Sequence, residues 1–244
     1  MSKNKIGVFG TCRIDDYNFD DFKKQNTNYP YVYENKKTII NVRPLGYTTT
    51  TSDILQGLTL IKNKQYLNIS DKFIFNNIFL KHGGKSLISD ISYNYLVLEI
   101  CSLKKIIHKP TNYIFPYEIE GTYNKHDFFT LREEEHETIN NIKKIRDLIK
   151  CKIILLPPII EFNCKVIKGE HEDVTCDKVL DYRNEILNRL KKVSSIEKNI
   201  YLIDWNDIII KEGKTKMLLD QFHFSDYGKK CISKTIFNKI NSLK

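Results

Sequence analysis

Three side chains at opposite ends of this chain have the chemistry of a nucleophile, a base and an orienting acid. Near the N-terminus an apolar run ends in a Gly-containing turn, Ile6-Gly7-Val8-Phe9-Gly10-Thr11-Cys12-Arg13. Near the C-terminus stands Asp220-Gln221-Phe222-His223, followed by Ser225, Asp226, Tyr227 and Gly228. A thiol at a strand end and a distant Asp-x-x-His supply the parts for covalent acyl transfer. The thiolate is the nucleophile. His223 can take the thiol proton, and Asp220 can orient and steady the imidazolium. Arg13 places positive charge beside Cys12, and a helix beginning there would also favour the anion. Each residue has a plainer reading too. Cys12 reads equally as a small core residue, the Asp-x-x-His as a surface pair, and Arg13 as a partner of Asp15 or Asp16.

The elements that would position these groups alternate along the chain. Five apolar runs read as buried parallel strands: Lys5–Phe9, Thr38–Val42, Tyr95–Ile100, Lys152–Leu156 and Ile200–Ile203. Between and after them lie helical patterns over Ser52–Lys62, Leu131–Ile149, Asp177–Val193 and Lys229–Ile240, with Thr130 and Glu133 as the capping box of the second. Thr48 to Thr51 read as the cap of the first helix. This alternation predicts a parallel sheet covered on both faces. Ligands of such sheets sit beyond the carboxyl ends of the strands. Two irregular stretches, Asp15–Lys37 and Phe162–Cys176, flank those ends and are candidates to cover a pocket.

Composition narrows the functional classes. The 244 residues are 41% hydrophobic and 28% charged, enough for one α/β domain over 1–244 with a sizeable core. No apolar run is long enough to span a bilayer, and Met1-Ser2-Lys3-Asn4-Lys5 does not open a signal peptide. Both features predict a cytoplasmic protein with no membrane partner. Cysteines 12, 101, 151, 164, 176 and 231 form no CxxC pair and read as free thiols. Cys164, His171 and Cys176 match no common zinc spacing, so no metal and no resident cofactor are expected. The net charge of +9 lacks the aromatic-interleaved basic cluster of a nucleic-acid binder. It suits a solvated lysine-rich surface, and also attraction of a phosphorylated substrate such as coenzyme A. His82, His108, His126, His136 and His171 have no motif around them.

The motifs together resemble the SGNH (GDSL-like) hydrolase superfamily, over nearly the whole chain. That resemblance implies a flavodoxin-like three-layer α/β/α sandwich with a central five-stranded parallel sheet. Cys12, in Gly10-Thr11-Cys12, stands where the family's serine follows the first strand. Asn41-Val42-Arg43-Pro44-Leu45-Gly46 loosely matches the second block and nominates Gly46, with the Cys12 amide, as an oxyanion donor. The third block is altered: Leu98-Glu99-Ile100-Cys101-Ser102 lacks the family's asparagine, and the Ser102 hydroxyl is the nearest chemical replacement. The fourth feature, Asp220 to His223 with Ser225 and Gly228, is intact.

Cysteine in place of serine bears on the reaction. Moving an acyl group from a thioester donor to a thiol is nearly thermoneutral and keeps the group activated. The expectation is therefore an acyltransferase, most simply an acetyltransferase, using acetyl-coenzyme A. The sugar hydroxyl or amine acceptor is implied only by the resemblance. An esterase or thioesterase with the same triad, and a non-catalytic glycan-binding module on a decayed hydrolase fold, remain open at this level. Oligomeric state is not legible.

Overall fold

The computed structural model describes residues 4–10, 31–35, 38–47, 49–65, 93–115, 125–161, 176–220 and 223–243. In chain order the elements are β1 (Asn4–Gly10), β2 (Tyr31–Asn35), β3 (Thr38–Tyr47), α1 (Thr51–Lys62), β4 (Tyr95–Glu99), β5 (Lys104–His108), β6 (Ile114–Phe115) and β7 (Phe128–Arg132). They continue with α2 (Glu135–Ile149), β8 (Lys152–Leu156), α3 (Cys176–Ile196), β9 (Ile200–Leu202), α4 (Trp205–Glu212), α5 (Lys214–Met217) and α6 (Asp226–Ser242).

The main sheet has six strands in the order β2-β3-β1-β4-β8-β9. Pairings β3–β1, β1–β4, β4–β8 and β8–β9 are all parallel. These five strands are the five expected from the apolar runs, and they follow the flavodoxin-like 2-1-3-4-5 order. Side chains alternate cleanly between two cores. Ile6, Val8, Tyr95, Val97, Ile154 and Leu156 face α6 and α4 through Ile232, Ile236, Ile240, Trp205 and Ile209. Phe9, Leu96, Leu98, Ile153 and Leu155 face α1, α2 and α3 through Ile54, Leu58, Ile142, Ile145, Ile186 and Leu190. A parallel sheet between two helix layers buries both faces, which explains the nearly continuous apolar runs.

Three sequence expectations need correction. The irregular Asp15–Lys37 stretch contains a strand, because Tyr31–Asn35 pairs antiparallel with Thr38–Val42 and extends the sheet. The helix expected from Leu131 begins only at Glu135. Phe128–Arg132 instead forms β7, pairing with β5 in a second antiparallel sheet ordered β6-β5-β7. Thr130 therefore caps nothing. Glu137 caps α2 by accepting from the Glu134 amide at 2.8 Å, and Glu133 turns away to a different task. Finally, β3 runs past Val42 to Tyr47, so Gly46 lies within the strand rather than after it. The helices over Ser52–Lys62, Asp177–Val193 and Lys229–Ile240 are present with slightly longer bounds, and Thr50 caps the first as expected.

No helix among the described residues is long and apolar enough to cross a membrane.

Candidate active site

The carboxyl end of β1 lies between those of β3 and β4. Gly10 pairs with Tyr47, and Phe9 pairs with Gly46. Just before, the register shifts: Val8 pairs with Pro44, so Leu45 is an extra residue in β3. Such a bulge re-aims the strand end, and it accommodates a proline that has no N–H for the ladder. Beyond this point the segments after β3 and β4 are stitched together. The Thr49 carbonyl accepts from the amides of Cys101 (3.1 Å) and Ser102 (3.0 Å). Since β1 separates β3 from β4 in the sheet, these bonds span the line of β1 just past its end.

Thr49 is itself pinned. Asp53 accepts from the amides of Thr49 (2.9 Å) and Thr50 (3.1 Å) and from the Thr49 hydroxyl (3.4 Å). Thr50 returns the bond by accepting from the Asp53 amide at 3.2 Å, which completes the capping box of α1. Asp53 is buried, and burial foremost, with a further push from the nearby Glu133 charge, raises its pKa to about 7 against the lowering effect of the Thr49 and Thr50 amides. Glu133, fully buried, accepts from the Thr51 hydroxyl (2.6 Å), the Ser52 amide (2.9 Å), the Ser52 hydroxyl (2.6 Å) and the Thr138 hydroxyl (2.9 Å). Two carboxylates at the start of α1 also suit the positive end of its dipole. Sequence reasoning missed this network. The Thr-Thr-Thr-Ser-Asp run signalled a cap, but its partner Glu133 lies 81 residues from Ser52.

Ser102 lies on the same strap. Its hydroxyl accepts from the Lys104 amide at 2.9 Å and meets the Tyr182 hydroxyl at 3.2 Å. Tyr182, on α3, also accepts from the Leu103 amide at 2.5 Å. Nothing in the sequence marked Tyr182. Glu99 ends β4 fully buried.

Asp220 and His223 are together. The Asp220 carboxylate approaches His223 Nδ1 at 2.8 and 3.0 Å and accepts from the His223 amide at 2.8 Å. A proton held on Nδ1 by this carboxylate leaves Nε2 as the basic nitrogen. The turn is braced on both sides. Leu218 bridges to Phe224, and the Leu219 amide donates to the His223 carbonyl at 2.9 Å. Phe224 is buried edge-on against Trp205, with ring centroids 5.0 Å apart. Ser225 caps α6 by accepting from the Gly228 amide at 3.1 Å, while its own amide donates to the Met217 carbonyl at 2.9 Å. The first turn of α6 packs so tightly on Met217 that Gly228 has no room for a side chain.

The direction of α6 locates this turn. Near its C-terminus, Ile240 and Leu243 accept from Tyr95 and Lys152 through their carbonyls, and those two residues open β4 and β8. The 17-residue helix, about 25 Å long, thus runs from the carboxyl edge of the sheet to its amino edge. His223 stands at its start, on the edge where β1, β3 and β4 end. The side chains of His223 and Asp220 remain 36% and 45% exposed, so solvent reaches the pair.

Cys12 and Arg13 lie outside the described residues, as do Cys164 and His171 of the discounted zinc set. Among the described residues no group of three or more His, Cys, Asp or Glu side chains is placed to hold a metal ion. Among the described residues Cys101, Cys151 and Cys231 form no disulfide. Burial pushes the Cys151 thiol up to about 12, which makes it inert. His108 is structural: its ring packs between Phe115 and Phe128, and its Nδ1 meets the Thr111 hydroxyl at 2.8 Å.

No family model and no curated protein matches this chain. Solved structures do resemble it. A member of the lipolytic protein G-D-S-L family from Veillonella parvula DSM 2008 is 13% identical, with a TM-score of 0.47, covering 96% of each chain. The acetyl xylan esterase AlAXEase is 13% identical, with a TM-score of 0.45, covering 97% of this chain and 99% of its own.

Proposed function

We propose that this chain is an SGNH-type acyl-transfer enzyme in which Cys12 is the nucleophile, His223 the general base and Asp220 its orienting acid. The observation that carries the reading is the Asp220–His223 pair, braced at the carboxyl edge of the sheet where β1 delivers Gly10. Only one residue, Thr11, separates Gly10 from Cys12. The esterase-like part of the reading agrees with the chemistry named for the two solved structures above.

The reaction runs in two halves. His223 Nε2 takes the Cys12 proton, and the thiolate adds to the carbonyl carbon of an acyl thioester. A C–S bond forms, and the carbonyl electron pair moves onto oxygen. Donors for that oxyanion are the amides of Cys12 and Gly46 and the hydroxyl of Ser102. Collapse expels the donor thiol, which recovers the proton from His223. In the second half His223 deprotonates the acceptor hydroxyl or amine, which attacks the acyl-cysteine and returns the thiol. Acetyl-coenzyme A is the proposed donor, its phosphates drawn by the net charge of +9, with Arg13 close to the reacting thiol. The proposed acceptor is a sugar.

A rapid-quench mass spectrum after mixing with acetyl-coenzyme A tests this. One acetyl group on the Cys12 peptide is expected, absent in Cys12→Ala and formed roughly 100-fold or more slowly in His223→Ala. An unmodified Cys12 peptide refutes the thioester donor.

One observation favours a second reading. The exposed Asp220–His223 pair admits water, so the same residues would serve an esterase or thioesterase. Release of acetate without an added acceptor, lost in Cys12→Ala, decides for hydrolysis.

A further inference from the structure

The hydroxyl of Ser102 has three hydrogen-bonding directions, two as acceptor and one as donor. The Lys104 amide fills one acceptor direction at 2.9 Å. The contact with Tyr182 at 3.2 Å can run either way in geometry alone. Chemistry decides it. A phenol is a stronger acid than an aliphatic alcohol, hence the better donor, and Tyr182 already accepts from the Leu103 amide at 2.5 Å. An O–H that accepts one strong bond is polarised to donate the next. The chain of donation therefore runs from the Leu103 amide to the Tyr182 hydroxyl to the Ser102 hydroxyl. Both acceptor directions of Ser102 are then filled, and its own proton is left to point elsewhere.

Ser102 is only half-buried, and its backbone is fixed by the Thr49 strap across the line of β1. Tyr182 is held in turn by packing against the α1–α2–α3 core and by the Arg132 guanidinium, 5.8 Å from its ring centroid.

We propose that Tyr182 is a positioning residue that presets Ser102 as a proton donor to the acyl oxyanion, replacing the amide donor that the third block lacks. This role rests on the acyl-transfer reading above. Presetting matters because a donor already aimed needs no reorganisation when charge develops.

The test compares acylation of Cys12 in single turnovers for wild type, Tyr182→Phe, Ser102→Ala, Ser102→Thr and the double variant Tyr182→Phe/Ser102→Ala. Ser102→Ala is expected to slow acylation on the order of 100-fold at saturating donor, with half-saturation little changed. Tyr182→Phe should slow it about 10-fold in the same manner, since Ser102 keeps its proton but loses its direction. Ser102→Thr should recover most of the rate. The double variant should be no slower than Ser102→Ala, because Tyr182 acts only through that hydroxyl. Ser102→Ala keeps the Leu103–Tyr182 bond but removes the acceptor of the Lys104 amide, so its urea midpoint is compared with wild type, and an unchanged midpoint beside the slowed acylation separates oxyanion donation from a disturbed fold. Independent, multiplying effects of the two substitutions, or a Tyr182→Phe effect confined to half-saturation, would overturn the role. Wild-type and Tyr182→Phe proteins acylating equally fast would remove this inference alone. A wild type that forms no acyl-cysteine with either acetyl-coenzyme A or p-nitrophenyl acetate would remove the reading beneath it as well.

Discussion

Gly228 offers a quantitative test of how the turn that carries His223, the proposed base, is held. A Cβ at this position would lie 2.1 Å from the Met217 carbonyl oxygen and 3.2 Å from the Phe224 Cβ. Backbone, not a flexible side-chain tip, stands in the way, so one of two braced segments must move by about 1 Å. The same Met217 carbonyl accepts from the Ser225 amide, and Ser225 caps α6 directly after the His223 turn. Two effects compete in Gly228→Ala. Alanine gains up to about 1 kcal/mol in a helix relative to glycine. Overpacking against fixed backbone costs about 1–3 kcal/mol, and loss of the Ser225–Met217 bond adds about 1 kcal/mol. The balance is net destabilisation of about 1–3 kcal/mol. Urea unfolding followed by Trp205 fluorescence measures it, since Trp205 is the single tryptophan and packs on Phe224. If Cys12 and His223 act as proposed, acylation of Cys12 falls in the same variant, because the displaced turn carries His223. A Gly228→Ala protein as stable as wild type, or more so, would show that helix propensity outweighs the close approach and would refute the packing argument.

Two further predictions concern the polar network at α1. With its pKa raised from 3.8 to about 7, Asp53 binds more protons folded than unfolded between those values. Its contribution is therefore most favourable below about pH 4 and is lost as pH rises to 7, a change of up to roughly 4 kcal/mol. Asp53→Asn should flatten that slope when urea midpoints are compared at pH 4.5 and 7.5, and parallel pH profiles in the two proteins would contradict the burial argument. Glu133→Ala strips the acceptor from three buried hydroxyls and one amide, so a loss of about 3 kcal/mol or more in unfolding free energy is expected. A loss under 1 kcal/mol in the same unfolding assay would mean that those donors find other partners.

Much of this protein is written locally in its sequence. The five parallel strands were legible because a strand buried on both faces must be apolar throughout, as Leu96-Val97-Leu98 and Ile153-Ile154-Leu155 are. The helices were legible from their period, and the Asp220–His223 contact follows from a spacing of three residues within one turn. What escaped depends on partners distant in the chain. The helix expected from Leu131, with Thr130 in its cap, overlaps the end of β7, because Phe128-Phe129-Thr130-Leu131 becomes a strand only when β5 lies beside it. Glu133 carried the signature of a cap, and its actual partners come from α1 and Thr138. The second strand was expected to end at Val42, with Gly46 after it, whereas a bulge at Leu45 lets β3 continue through Gly46. The sequence by itself determined the strand and helix layout and the contact between Asp220 and His223. The tertiary structure alone decided how the ends of β3 and β4 close over the end of β1, and that Tyr182 stands behind Ser102. Hydrogen bonds between segments about 50 to 80 residues apart form only after the core has brought those segments together.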